Sequence, residues 1–103
     1  MVKVLAMYGQ PIDAAAFDDY YFKTHVPLAK TLPGLIAYEV SRGPVMGVLD
    51  GSRPHHLIAT LSFDSAEAVQ AALQSSVGQA TAADLANFAT GGVTLIMFAN
   101  ESI

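Results

Sequence analysis

The sequence predicts an α+β fold: a ferredoxin-like βαββαβ chain with one four-stranded antiparallel sheet and its helices on one face. Two observations predict it, and a third calls for a second copy of the chain. Four β-rich runs alternate with two helix-patterned stretches in the order strand, helix, strand, strand, helix, strand. Turn clusters rich in glycine and proline separate them. The strands are apolar on both faces, which a sheet covered by helices on one side alone does not explain.

The first strand is Val2 to Tyr8, ended by Gly9-Gln10-Pro11. Asp13 is placed to cap a helix. On that helix Phe17, Tyr20, Tyr21, Thr24 and Leu28 recur at spacings of three and four and mark one face, with Asp18 and Asp19 opposite. Pro27 lacks the amide hydrogen that the carbonyl of Lys23 needs, so the helix is expected to end or kink near His25, with a further short turn from Leu28 to Thr31. Leu32-Pro33-Gly34 turns the chain into a second strand, Leu35 to Arg42. Residues 43–54 hold three glycines and two prolines and form a loop. The third strand is His55 to Phe63. Asp64 and Glu67 are spaced as a near capping box for a helix from Ala66 to Gln74. Ser75 to Gly78 breaks it, and another helix runs from Gln79 to Ala89 with Leu85 and Phe88 inward. Gly91-Gly92 turns into the fourth strand, Val93 to Phe98.

Composition bounds the function. The 103 residues make one domain, 1–103. Apolar residues are 52% and charged residues only 14%, so a disordered chain is excluded. Five Lys+Arg against nine Asp+Glu gives net −4, which leaves no basic stripe for nucleic acid. No cysteine means no disulfide, no thiolate metal site and no thiol nucleophile. No apolar run is long enough for a membrane helix, and MVKVLAMYGQP reads as a strand rather than a secretory signal, so a cytoplasmic protein is expected. So few charges cannot clothe the surface of a monomer. In the fourth strand Val93, Leu95 and Met97 face one way and Ile96 and Phe98 the other; in the first, Val2, Val4 and Ala6 oppose Leu5 and Met7. A homodimer joined through its sheet faces, a barrel with the helices outside, shelters both.

His25 is the most informative residue for chemistry. It follows Tyr21 by four and Phe17 by eight, so it shares their face, at a helix end where the dipole favours a cation. An imidazole in an apolar wall is the usual acid–base group; a packed or capping histidine is the other reading. Tyr38, mid-strand with Ile36 and Val40 on its face, is a phenol within reach of His25, or a core tyrosine bonded to backbone. His55 and His56 are strand neighbours facing opposite ways, so they do not share a metal. One of them is expected to face the pocket as a second acid–base, and His56 is counted with the pocket residues. Asp84 is expected to cap or to face water. The sequence has no nucleophile elbow and no phosphate-binding glycine-lysine motif.

The run Phe17-Asp18-Asp19-Tyr20-Tyr21-Phe22-Lys23-Thr24-His25-Val26-Pro27-Leu28-Ala29, then Leu32-Pro33-Gly34-Leu35 and Tyr38, resembles the EthD family, small dimeric α/β-barrel proteins named for ethyl tert-butyl ether degradation. Phe63, Ala66-Glu67-Ala68 and Ala83-Asp84-Leu85-Ala86-Asn87-Phe88 resemble it too. The resemblance implies the same ferredoxin-like dimer. Its wider superfamily includes cofactor-free monooxygenases, polyketide cyclases, muconolactone-type isomerases and haem-binding members. The helix-end histidine and strand-two tyrosine of methylmuconolactone isomerases resemble His25 and Tyr38; their cysteine has no counterpart here, and neither does the tryptophan of haem-degrading members.

Two functions follow as expectations. In the first, a hydrophobic aromatic, phenolic or lactone-like metabolite sits between the sheet and the first helix, walled by Phe17, Tyr21, Ile36 and Leu85. There His25 moves a proton and Tyr38 polarises a carbonyl, with no cofactor and no metal. In the second, a non-catalytic binding or accessory protein of a degradation pathway uses the same pocket and His25 is structural. The two separate on whether His25 and Tyr38 line one cavity.

Overall fold

All four strands form: β1 (Val2–Gly9), β2 (Ala37–Val40), β3 (His55–Phe63) and β4 (Val93–Ala99). The computed structural model describes residues 1–103. The strand order is β2-β3-β1-β4, every neighbouring pair antiparallel. This is the ferredoxin-like α+β topology. The molecule measures 36 × 35 × 17 Å, the thinness of one sheet under one layer of helices. β2 is shorter than the expected Leu35 to Arg42. Its ladder continues only through Ile36 N–H to the Ser62 carbonyl (2.9 Å) and Ser41 N–H to the Ile58 carbonyl (2.9 Å).

The first helical segment departs most from expectation. It runs from α1 (Ala14–Tyr20), capped by Asp13 Oδ1 accepting from Ala16 N–H at 3.0 Å, into a π-helical turn, Tyr21–His25, and on through α2 (Val26–Ala29). The helix therefore neither ends at His25 nor stops for Pro27. In an α-helix the proline ring would strike the carbonyl of Lys23. The wide turn, in which Val26 N–H reaches the Tyr21 carbonyl, lies just before Pro27 and makes room for it. It also shifts the inner face. Thr24, expected inside, is exposed, while Tyr21 and His25 are buried.

α3 (Ala66–Gln74) has the expected bounds but another cap. Ser65 Oγ accepts from Ala68 N–H at 3.1 Å, and Asp64 is exposed outside the cap. Ser65 in extended backbone precedes the first helical residue, and that is where an N-cap acts. The break after α3 is one residue, Ser75, not four. Its hydroxyl accepts from Gly78 N–H at 3.0 Å and starts α4 (Ser76–Asp84), after which a 3-10 turn, Leu85–Asn87, closes the segment. Gly78 is thus inside a helix, and contact demands it. A Cβ there would overlap the Ala72 carbonyl oxygen and lie 2.7 Å from Leu73 Cα.

On the helix-facing side of the sheet lie Val2, Val4, Ala6 and Tyr8, paired with Phe63, Leu61, Ala59 and Leu57 of β3. An aromatic cluster of Tyr8, Phe17, Tyr21 and Phe88 packs over one end, with ring centroids 5.3–5.7 Å apart. Val2, Ala29, Leu32, Phe63, Val69 and Ala72 form the core at the other. The opposite face carries Leu5, Met7 and Ile58 half-buried, with Ile96 and Phe98 exposed. β4 is an edge strand, and the helices do not reach over it. Leu95 and Met97 remain exposed although they share the helix-facing register of Ala6 and Val4.

Candidate active site

His25, 4% exposed, ends the π turn and is held from three sides. Its ring stacks on Tyr21, with centroids 5.4 Å apart, and leans on Phe88 at 4.6 Å. Its Nδ1 lies 2.9 Å from Oδ2 of Asp84. That leaves Nε2 as the ring nitrogen with no protein partner. A bond from Nδ1–H to a carboxylate fixes the neutral tautomer, so Nε2 carries a bare lone pair and is the basic atom.

Asp84 corrects the expectation of a capping or solvated residue. It ends α4 yet is 8% exposed, and its carboxylate gathers His25, the Tyr20 hydroxyl donating to Oδ1 (2.5 Å) and Asn87 Nδ2 donating to Oδ1 (3.0 Å). A carboxylate at a helix C-terminus faces the negative end of the dipole, and burial disfavours it further. Burial pushes its pKa up, but the bonds from Tyr20, Asn87 and His25 outweigh that and hold it below the ordinary carboxylate range. The Asp84 bond in turn pushes the Tyr20 phenol up. A carboxylate kept charged in so unfavourable a place marks a functional candidate. Sequence alone shows only an aspartate in an alanine-rich helix, 59 positions from His25.

His25 and Tyr38 line one cavity of about 240 Å³, open toward β4. Fifteen of its nineteen lining residues are hydrophobic; besides His25 the others are Gln70, Gly78 and Thr81. Leu85 lines it, as expected, and so does Tyr8, which the sequence reading did not single out for the pocket. The period-two alternation with Val4 and Ala6 was the signal for Tyr8. Tyr38 and His25 are not each other's partner. The Tyr38 hydroxyl meets that of Tyr21 at 2.6 Å, and burial pushes both phenols up. Burial does the same to Tyr8.

The other expected wall residues stand elsewhere. Tyr21 is fully buried and Phe17 is 3% exposed; both are consumed by the aromatic cluster beneath the cavity. Ile36 precedes the short β2 and is exposed. His56 does not reach the cavity. A register irregularity near Gly9 turns it onto Phe17 (4.9 Å) and Asp18, whose Oδ1 lies 2.7 Å from Nε2. The site as built is His25, backed by Asp84, on one wall and Tyr38, backed by Tyr21, on another, with Tyr8 beside them, around an apolar chamber. That geometry can accept a proton at Nε2 and donate one from a phenol.

The EthD domain model matches residues 9–92. An uncharacterized 11.0 kDa protein in the thcB-thcC intergenic region of Rhodococcus erythropolis is 38% identical, covering 100% of this chain and 98% of its own. The crystal structure of an EthD family protein of Bacillus halodurans C-125 superposes with a TM-score of 0.88 at 35% identity, covering 98% of this chain and 99% of that one. SnoaB of Streptomyces nogalater, a cofactor-independent oxygenase, shares the fold with a TM-score of 0.69 at 15% identity over 99% and 94% of the two chains.

Proposed function

The chain belongs to the EthD family, and from that premise and the cavity described above we propose that it is a cofactor-independent acid–base catalyst. It acts in the cytoplasm on a small hydrophobic aromatic, phenolic or lactone-like metabolite. The observation that carries this reading is the buried Asp84–His25 pair with Nε2 free in the wall of an apolar cavity. Asp84 holds the tautomer and steadies the imidazolium that forms when Nε2 takes a proton. Tyr38 accepts from Tyr21 and donates to a substrate oxygen, stabilising charge as an enolate or phenolate develops. The largely aliphatic lining lowers the local dielectric around those hydrogen bonds.

The reaction classes consistent with this site are isomerisation, cyclisation and cofactor-free oxygenation, all of which begin by removing a proton from an activated carbon or phenol. We further propose a homodimer through the sheet faces. Leu5, Met7, Ile58, Ile96 and Phe98 form an apolar patch opposite the helices, edged by Lys3, Thr60 and Thr94, and a second copy is the partner that matches it.

The test is a panel of unsaturated lactones, catechols and polycyclic phenols, scored for binding by NMR and for turnover by absorbance. The expected result is turnover that His25→Ala abolishes while ligand shifts at Leu85 and Tyr8 persist. Binding with no turnover in the native protein would favour the accessory role, for which the largely apolar lining already suffices.

A further inference from the structure

Both arginines of this acidic chain and two of its three histidines converge on one place, and it is not the His25 cavity. Arg42, Arg53, His55 and His56 line a hollow of about 410 Å³ between the 43–54 loop and the start of β3. It shares no lining residue with the first cavity. Its one carboxylate, Asp18, is engaged by His56. The arginines are left without an ion pair in a molecule of net charge −4.

The hollow is also set in place. The Arg42 guanidinium lies 4.6 Å from the Phe22 ring centroid, which orients its planar fork. Gln10 Nε2 donates to the Arg53 carbonyl (3.0 Å) and the His55 carbonyl (3.2 Å), pinning the backbone on either side of Pro54. His55 Nδ1 is sealed from solvent without a partner, so any hydrogen bond from that ring must come through Nε2. Two unpaired guanidinium forks and an imidazole around a concave space match one chemistry: an oxyanion with two acceptor oxygens.

We propose that this hollow binds the oxyanion group of a small molecule, a carboxylate or a phosphate, as a second site independent of the His25 cavity. Arg42 and Arg53 hold the anion, and His55 adds a donor. The apolar faces of Val45 and Leu57 take the attached body. The site gives the protein a means of holding an acidic effector or the acidic end of a longer metabolite.

The experiment is an amide and arginine side-chain NMR titration of the full chain with benzoate and, separately, phenyl phosphate, against sodium chloride at matched ionic strength. The two probes separate carboxylate from phosphate. The expected result is saturable shifts at Arg42, Arg53 and His55 for at least one probe. Affinity should fall tenfold or more in R42Q/R53Q and severalfold in R42K, which keeps the charge and loses the fork. Both arginines are exposed, so unchanged melting of the variants is expected and is checked alongside. Shifts no larger than those from chloride, or binding unchanged in R42Q/R53Q, overturn the proposal.

Discussion

Replacing Asp84 with asparagine isolates the charge that holds His25. Asparagine keeps the shape and keeps Oδ1 as acceptor for Tyr20 and Asn87. What changes is the atom facing Nδ1. An amide nitrogen donates there, so Nδ1 must accept and the imidazole proton moves to Nε2. Hydrogen bonds to a charged group contribute roughly 1.5–3 kcal/mol, against about 1 for neutral ones. The variant loses the charge from every bond Asp84 accepts while keeping their geometry, so a cost of about 2 kcal/mol near pH 7 is expected. With a urea slope near 1 kcal/mol per molar for a chain this small, the midpoint falls by about 2 M at fixed protein concentration.

The sign of the pH dependence comes from the pKa. The folded-state value lies below the ordinary 3.8, so this stability is fully present above pH 5 or so. It is lost as pH falls through the folded value, and the gap between native and D84N protein must close in acid. Nitrogen-15 shifts of His25 should report the proton on Nδ1 in the native protein and on Nε2 in D84N. Denaturation curves that stay parallel from pH 7 to pH 3, or the same tautomer in both proteins, would refute the reasoning.

Three further outcomes are expected. Gly78→Ala should lower stability by about 2 kcal/mol, read by thermal melting, because the new methyl overlaps backbone of α3; the usual gain of alanine over glycine inside a helix would appear only if the helices were not in contact. Ser65→Ala should cost about 1 kcal/mol and Asp64→Ala almost nothing in urea titrations, and the reverse ranking would restore Asp64 as the cap. Phe98→Glu should convert a micromolar dimer to monomer by sedimentation velocity, whereas a native protein already monomeric would remove the sheet-to-sheet assembly.

Element order, the bounds of β3 and α3, and the Asp13 cap were readable because they depend on local periodicity and on side chains near their own backbone. The π turn was not. Pro27 signalled trouble at Lys23, but whether a helix answers by stopping or by widening depends on what its next turn packs against, and Ala29 is buried in the core. His25 and Tyr38 could be singled out from spacing and residue type. Their partners could not, because Asp84 and Tyr21 reach them only through the packing of α4 and β2 against the first helix. His56 misled because strand neighbours face opposite ways and one of the pair was expected to face the pocket; the register irregularity at Gly9 and the nearness of Phe17 and Asp18, both invisible in one sequence, hold it elsewhere.

The π turn also carries a consequence for how this protein can change. Such a turn holds one residue more than an α-helix needs and absorbs it locally, so deleting a residue between Tyr21 and His25 would restore α-helical spacing without rotating the flanking segments. Regular α-helical spacing would also return the Pro27 ring to the carbonyl four residues before it, the clash that the wide turn relieves. The strain would fall on the turn that carries His25, whose imidazole is set by its contacts with Tyr21 and Phe88. The extra residue and Pro27 therefore go together, and the length of this helix is the first thing to compare in any relative.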